Sequence, residues 1–154
     1  MSDDALLSSD EERDLAGVLD EIIPPSEDGR LPGAGELGLT AAIERAMNDT
    51  PDLRPAVAQG LAALHELVES RGPGDFASLS REERRGVLNE LATLQPAFLP
   101  GLIFHVYAHY YQDGRVLEAL GLEPRPPHPL GYELETGDLS LLDPVRDRPK
   151  LYRR

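Results

Sequence analysis

The chain has 154 residues, with 28 acidic and 15 basic side chains and no cysteine, for a formal charge of −13 at pH 7. A domain of this length buries roughly 70% of its unfolded surface and needs no metal or disulfide staple to fold, and the missing thiols exclude disulfides and thiolate chemistry. The charge is −10 over residues 1–50, −2 over 51–100 and −1 over 101–154; an acidic front argues against non-specific nucleic-acid binding, which neutralises phosphates with Lys and Arg.

The first residues are acidic, with no basic n-region and no long apolar run, so no export leader is expected. No stretch approaches the ~18 consecutive apolar residues of a membrane span. Residues 1–9 read as a flexible start. Ser9-Asp10-Glu11-Glu12 matches a capping box, and Leu15, Val18, Leu19 and Ile22 then draw one apolar stripe, predicting a helix over about 10–23. Pro24-Pro25 ends it. A second helix is predicted over 36–48, carried by Leu39, Ala42, Ile43, Ala46 and Met47. Thr50 is the expected N-cap of a third, with Pro51 in its first turn and Leu53, Val57, Leu61, Leu64, Leu67 and Val68 on its apolar face to about Ser70.

Gly72-Pro73-Gly74 stops that helix, and Phe76 and Leu79 pack a short link. Ser80-Arg81-Glu82-Glu83 is a second capping box, followed by Val87, Leu88, Leu91 and Leu94. Leu99, Leu102, Ile103, Val106, Tyr107 and Tyr110 make the most apolar helix and the expected centre of the fold. After Asp113-Gly114, a short helix with Val116, Leu117 and Leu120 closes at Gly121. Nothing alternates with period two, so residues 10–121 read as an all-α bundle of five to six helices. Residues 122–154 hold six prolines among spaced apolar groups and end basic, with Arg146, Arg148, Lys150, Arg153 and Arg154. That composition predicts an extended proline-rich strap, laid over its own helices or over a partner.

Two places could carry chemistry. Gly33-Ala34-Gly35-Glu36-Leu37-Gly38 fits G-x-G-x-x-G by letter, but a proline pair and a helix precede it where a dinucleotide site needs a strand, and Glu36 adds charge of the wrong sign. The loop reads instead as a structural connection between helices. His105 and His109 stand four apart on one helix face, a spacing that presents two imidazoles to one metal or haem. A third ligand is needed, from His65, His128 or a distant carboxylate; otherwise the pair are half-buried imidazoles hydrogen-bonded to neighbours. Of the nearby tyrosines, Tyr107 and Tyr110 are assigned to the core and Tyr111 to the surface. No nucleophile elbow and no spaced acid–base pair is visible, so the chain is not expected to be an enzyme on its own.

Leu19-Asp20-Glu21-Ile22-Ile23-Pro24 leading into Pro32-Gly33-Ala34 and Gly38 resembles the gluconate 2-dehydrogenase subunit 3 family. So does Tyr110-Tyr111 followed by Val116, Leu120-Gly121, the proline-rich turn and Gly131-Tyr132. The resemblance spans about residues 10–135. It implies a small, non-catalytic accessory subunit that supports maturation, export or stability of a large dehydrogenase subunit. The large subunit holds the FAD and oxidises a sugar or sugar acid, and a cytochrome c subunit takes the electrons. No catalytic, cofactor or metal residue carries over to this chain. The expected contacts with the large subunit are Pro24, Pro25, Arg30, Pro32 and Gly33 of the loop, Tyr111, and Tyr132 and Tyr152 of the tail. Members of the family often begin with a twin-arginine leader, which this sequence does not show; the expectation is a protein cytoplasmic as synthesised, or exported together with a signal-bearing partner.

The alternative reading of the residues is a stand-alone helical metal- or haem-binding protein using His105 and His109.

Overall fold

The computed structural model describes residues 6–72, 74–125, 128–131, 133 and 135–149. All regular structure among them is helical: α1 (Ser9–Ile22), α2 (Thr40–Asp49), α3 (Leu53–Glu69), α4 (Arg81–Leu94), α5 (Phe98–Tyr110), α6 (Gly114–Ala119) and α7 (Asp143–Arg146), with 3-10 turns at Phe76–Ser78 and Leu139–Leu142. The fold is therefore all-α, as the periodicity required. No single helix among the described residues is long and apolar enough to cross a membrane.

The start of α1 differs from expectation by one residue. The N-cap is Ser8: its Oγ accepts from the Glu11 N–H at 3.3 Å, and the Glu11 carboxylate accepts from the Ser8 N–H at 2.8 Å. The sequence offers Ser8…Glu11 and Ser9…Glu12 equally, and packing chooses. Leu7 is only 5% exposed and joins the core, so residues 6–9 are not a loose end; residues 1–5 lie outside the described set. Around α1, Leu15, Val18 and Leu19 are fully buried, as their spacing predicts.

The second helix begins at Thr40 rather than 36. Residues 33–38 form tight turns instead, with Leu37 N–H donating to the Gly33 carbonyl at 3.0 Å and Gly38 N–H to the Gly35 carbonyl at 2.9 Å. Gly38 has φ +73°, which no right-handed helix contains. Thr50 closes α2 instead of capping α3: its N–H donates to the Ala46 carbonyl at 2.8 Å, and α3 starts after Pro51 and Asp52. The capping box of α4 stands as expected, with Ser80 Oγ accepting from Glu83 N–H at 3.3 Å and Glu83 Oε2 from Ser80 N–H at 2.8 Å.

α3 packs against α1, α2, α4 and α5 and shares the centre of the bundle with α5. The core is continuous from Leu15 and Val18 through Ile43, Val57, Leu64, Val87 and Leu91 to Leu102, Val106 and Tyr110. Phe76, fully buried in the link before α4, plugs the space beside α1. An ion pair between Arg84 and the largely buried Glu21, Nε to Oε1 at 2.8 Å, ties α4 to the last turn of α1.

α5 departs most from the reading of its sequence. The stripe it buries is Phe98, Leu102, Val106 and Tyr110. Leu99 is only partly buried, and Ile103 and Tyr107 are exposed, so Tyr107 is not a core residue. This helix has apolar residues on every side, so periodicity cannot select the inward face. The tail is not wholly extended either. Asp138 caps a short turn by accepting from Ser140 N–H at 3.0 Å, and Pro144 stands in the first turn of α7, where its missing donor costs nothing. Leu139, Leu141, Leu142 and Val145 of this segment are all exposed.

Candidate functional site

Residues 23–39 connect α1 to α2, and every close contact in the loop has a visible cause. Asp20, in the last turn of α1, turns its carboxylate into the loop, where Oδ1 accepts from the Gly35 N–H at 2.8 Å and the Glu36 N–H at 3.4 Å. Ala34 N–H donates to the Ile23 carbonyl at 2.9 Å. From the other side, the hydroxyl of buried Tyr110 donates to the Pro32 carbonyl at 2.8 Å. Arg115 Nη2 donates to the Leu37 carbonyl at 3.2 Å, and Arg30 Nη2 to the Ala119 carbonyl at 2.8 Å. The loop is therefore pinned to α1, α5 and α6.

This geometry decides the meaning of the glycine motif. A Cβ added at Gly35 would collide with the Ala16 carbonyl oxygen, and one at Gly33 with Asp20 Oδ1. Glycine is present because α1 comes too close for a side chain. The N–H groups of residues 35 and 36, which would have to face a phosphate, already face a carboxylate. Within the same loop, Ser26 Oγ donates to Asp28 at 2.6 Å and accepts from Leu31 N–H at 2.8 Å, closing a small turn. The Asp28 carboxyl is held below its ordinary range, first by the Ser26 hydroxyl and then by the Arg30 N–H.

The expected contact residues separate by depth. Pro24, Pro25 and Arg30 are exposed, Pro32 is partly buried with its carbonyl occupied by Tyr110, and Gly33 is buried. Gly33 shapes the loop and offers no side chain to a partner. Tyr111 faces outward, 48% exposed. Tyr132 and Tyr152 lie outside the described residues.

His105 and His109 are both partly buried on α5. Burial pushes the His105 imidazole below its ordinary value, and the neighbouring His109 adds to the shift. The His105 ring meets Phe104 edge-on, with centroids 5.2 Å apart. His65 is on α3, exposed, with Nε2 3.2 Å from Glu69 Oε1, and His128 is in the exposed tail. Among the described residues no group of three or more His, Asp or Glu is placed to hold a metal ion.

Beside the histidines lies a surface that the sequence reading did not isolate. Ile103 (42% exposed), Phe104 (70%), Tyr107 (46%) and Tyr111 form an apolar, aromatic ridge on the outside of α5. Tyr111 packs against Tyr107 and Tyr110, at centroid distances of 5.9 and 5.2 Å. At the N-terminal end of the ridge a shallow cleft of about 240 Å³ opens, floored by Leu53, Ala56, Ala97 and Gly101, walled by Phe104 and His105, with Asp52 on its lining. A signal for this surface was present: residues 95–112 contain no Asp, Glu, Lys or Arg, in a chain that is 28% charged.

No curated protein and no solved structure matches this chain. The family model described as Gluconate 2-dehydrogenase subunit 3 matches residues 9–118, a span running from the first turn of α1 into α6, and the chain belongs to that family of dehydrogenase subunits.

Proposed function

We propose that this chain is a non-catalytic small subunit that binds a large FAD-dependent dehydrogenase subunit of the sugar or gluconate type and supports its maturation or stability. The observation that carries the reading is the family match over residues 9–118, which takes in almost the whole helical bundle. The internal structure fits that role. The polar groups of the most distinctive loop are spent on holding it to α1, α5 and α6, while Pro24, Pro25, Arg30 and Tyr111 remain at the surface, available for contact. In this reading the FAD resides in the large subunit, which performs the oxidation, and a cytochrome c subunit receives the electrons.

Co-expression with the large flavoprotein subunit from the same genome tests the proposal. The expected result is a complex of near-equal stoichiometry, with more soluble large subunit and a higher FAD content per chain than when it is made alone. Unchanged solubility and FAD content, together with no complex, would overturn the reading.

A further inference from the structure

We infer that the outer face of α5, the ridge of Ile103, Phe104 and Tyr107 with the cleft at its N-terminal end, docks an apolar segment of the large flavoprotein subunit that carries a basic side chain opposite Asp52. The inference rests on the accessory-subunit reading and assigns its contact to a surface that the distinctive loop does not contain.

Three observations select this surface and this occupant. Exposed aromatic residues grouped on one helix face are unusual on a monomer and are the residue types that dominate binding energy at interfaces. Phe104 is 70% exposed although it stands in the most apolar helix of the chain. The cleft beside it has a floor of small and aliphatic groups, Leu53, Ala56, Ala97 and Gly101, and so has room for one inserted apolar side chain. Charge then discriminates between occupants. Asp52 lines the cleft and has no ion-pair partner among the described residues, so the complementary surface is basic. A second copy of this chain would bring together two molecules of formal charge −13. A bilayer surface selects Lys and Arg around an apolar face, and residues 95–112 contain neither. A partner segment with an apolar anchor and a flanking Lys or Arg satisfies both the ridge and the carboxylate.

The test measures affinity between this chain and the purified, FAD-loaded large subunit from the same genome, by calorimetry, for wild type and for F104D, Y107A, D52K and L94S. Phe104 and Tyr107 are exposed, so F104D and Y107A are expected to melt with the wild type. Asp52 is the exposed N-cap residue of α3, where a lysine opposes the helix dipole, so D52K is expected to melt a little lower while remaining folded. Leu94, an exposed apolar residue of α4, is the control. F104D is expected to weaken binding at least tenfold, Y107A and D52K severalfold, and L94S not at all. If F104D fails to fold, Y107A and D52K decide. Wild type without measurable binding would sink the accessory-subunit reading itself. Wild-type binding that survives F104D, Y107A and D52K alike would leave that reading standing and overturn the α5 surface. A dimer dispersed by F104D with flavoprotein binding intact would assign the face to a second copy. Vesicle binding abolished by F104D, again with flavoprotein binding intact, would assign it to lipid. Either of these outcomes overturns the proposal.

Discussion

Asp20 and Gly35 act as one unit. The carboxylate takes the place that an anion would occupy in a nucleotide loop, and the missing Cβ lets the loop lie against the Ala16 carbonyl. Gly35→Ala should therefore destabilise the fold by about 1–3 kcal/mol or more, since the colliding atom is backbone and cannot swing away. Asp20→Ala should cost about 1–3 kcal/mol by leaving the Gly35 N–H without its acceptor. Urea midpoints of the two variants check both values. Asp14 has the opposite character. Among the described residues it is the buried acidic one, and burial raises its carboxyl above the ordinary 3.8, opposed by a long hydrogen bond from Phe76 N–H and reinforced by nearby Asp75. The folded state then holds this proton more tightly than the unfolded chain, so stability falls as pH rises from the unfolded value through the folded one. Ionised Asp14 is a net cost at neutral pH. Asp14→Asn should raise the melting temperature at pH 7, and the gain should shrink as the pH falls to and below the unfolded value of 3.8, where the wild-type group becomes protonated in both states. Melting curves at pH 7 and pH 3.5 decide; a destabilised variant at pH 7 would contradict the argument.

At the scale of the element, local sequence leaves the helix ends least determined. Ser8 and Ser9 are both followed three residues later by glutamate, and the burial of Leu7 favours the earlier cap. Ser8→Ala should cost about 1 kcal/mol, whereas Ser9→Ala should stay within about 0.5 kcal/mol, because only Ser8 satisfies a backbone donor. Equal losses in thermal melts would mean that both boxes are populated. Leu39, Ala42 and Ile43 continue helical spacing back into Glu36 and Leu37, four residues before α2 begins. Gly38 at φ +73° breaks that continuity, and a glycine's letter does not reveal the sign of its φ. α5 departs from its pattern for a different reason. Its apolar character runs all the way round, so one face could be buried and the other exposed without any mark in the pattern.

For the whole molecule, the bundle and the tail make different contributions. The core draws on α1 to α6 and the links between them, whereas the described residues from 128 to 149 are all exposed. Leu141→Ser and Val145→Ser should each shift stability by no more than about 0.5 kcal/mol; a larger loss in denaturant titration would mean that the tail packs on the bundle in solution.

The all-α class, the inner stripes of α1 and α3, the cap of α4 and the family were legible in the sequence, because each depends on residues near one another in the chain. The histidine pair was legible as a spacing, but whether a third ligand joins it depends on distant elements, and none of the described residues completes a set. Tertiary structure alone decided that Gly33 is buried, that Tyr110 reaches 78 residues back to hold Pro32, and that Phe104 and Tyr107 stand outside. Local pattern sets which helices can form. Which face of a uniformly apolar helix meets the core is settled by the neighbours that pack against it, and periodicity carries no record of them.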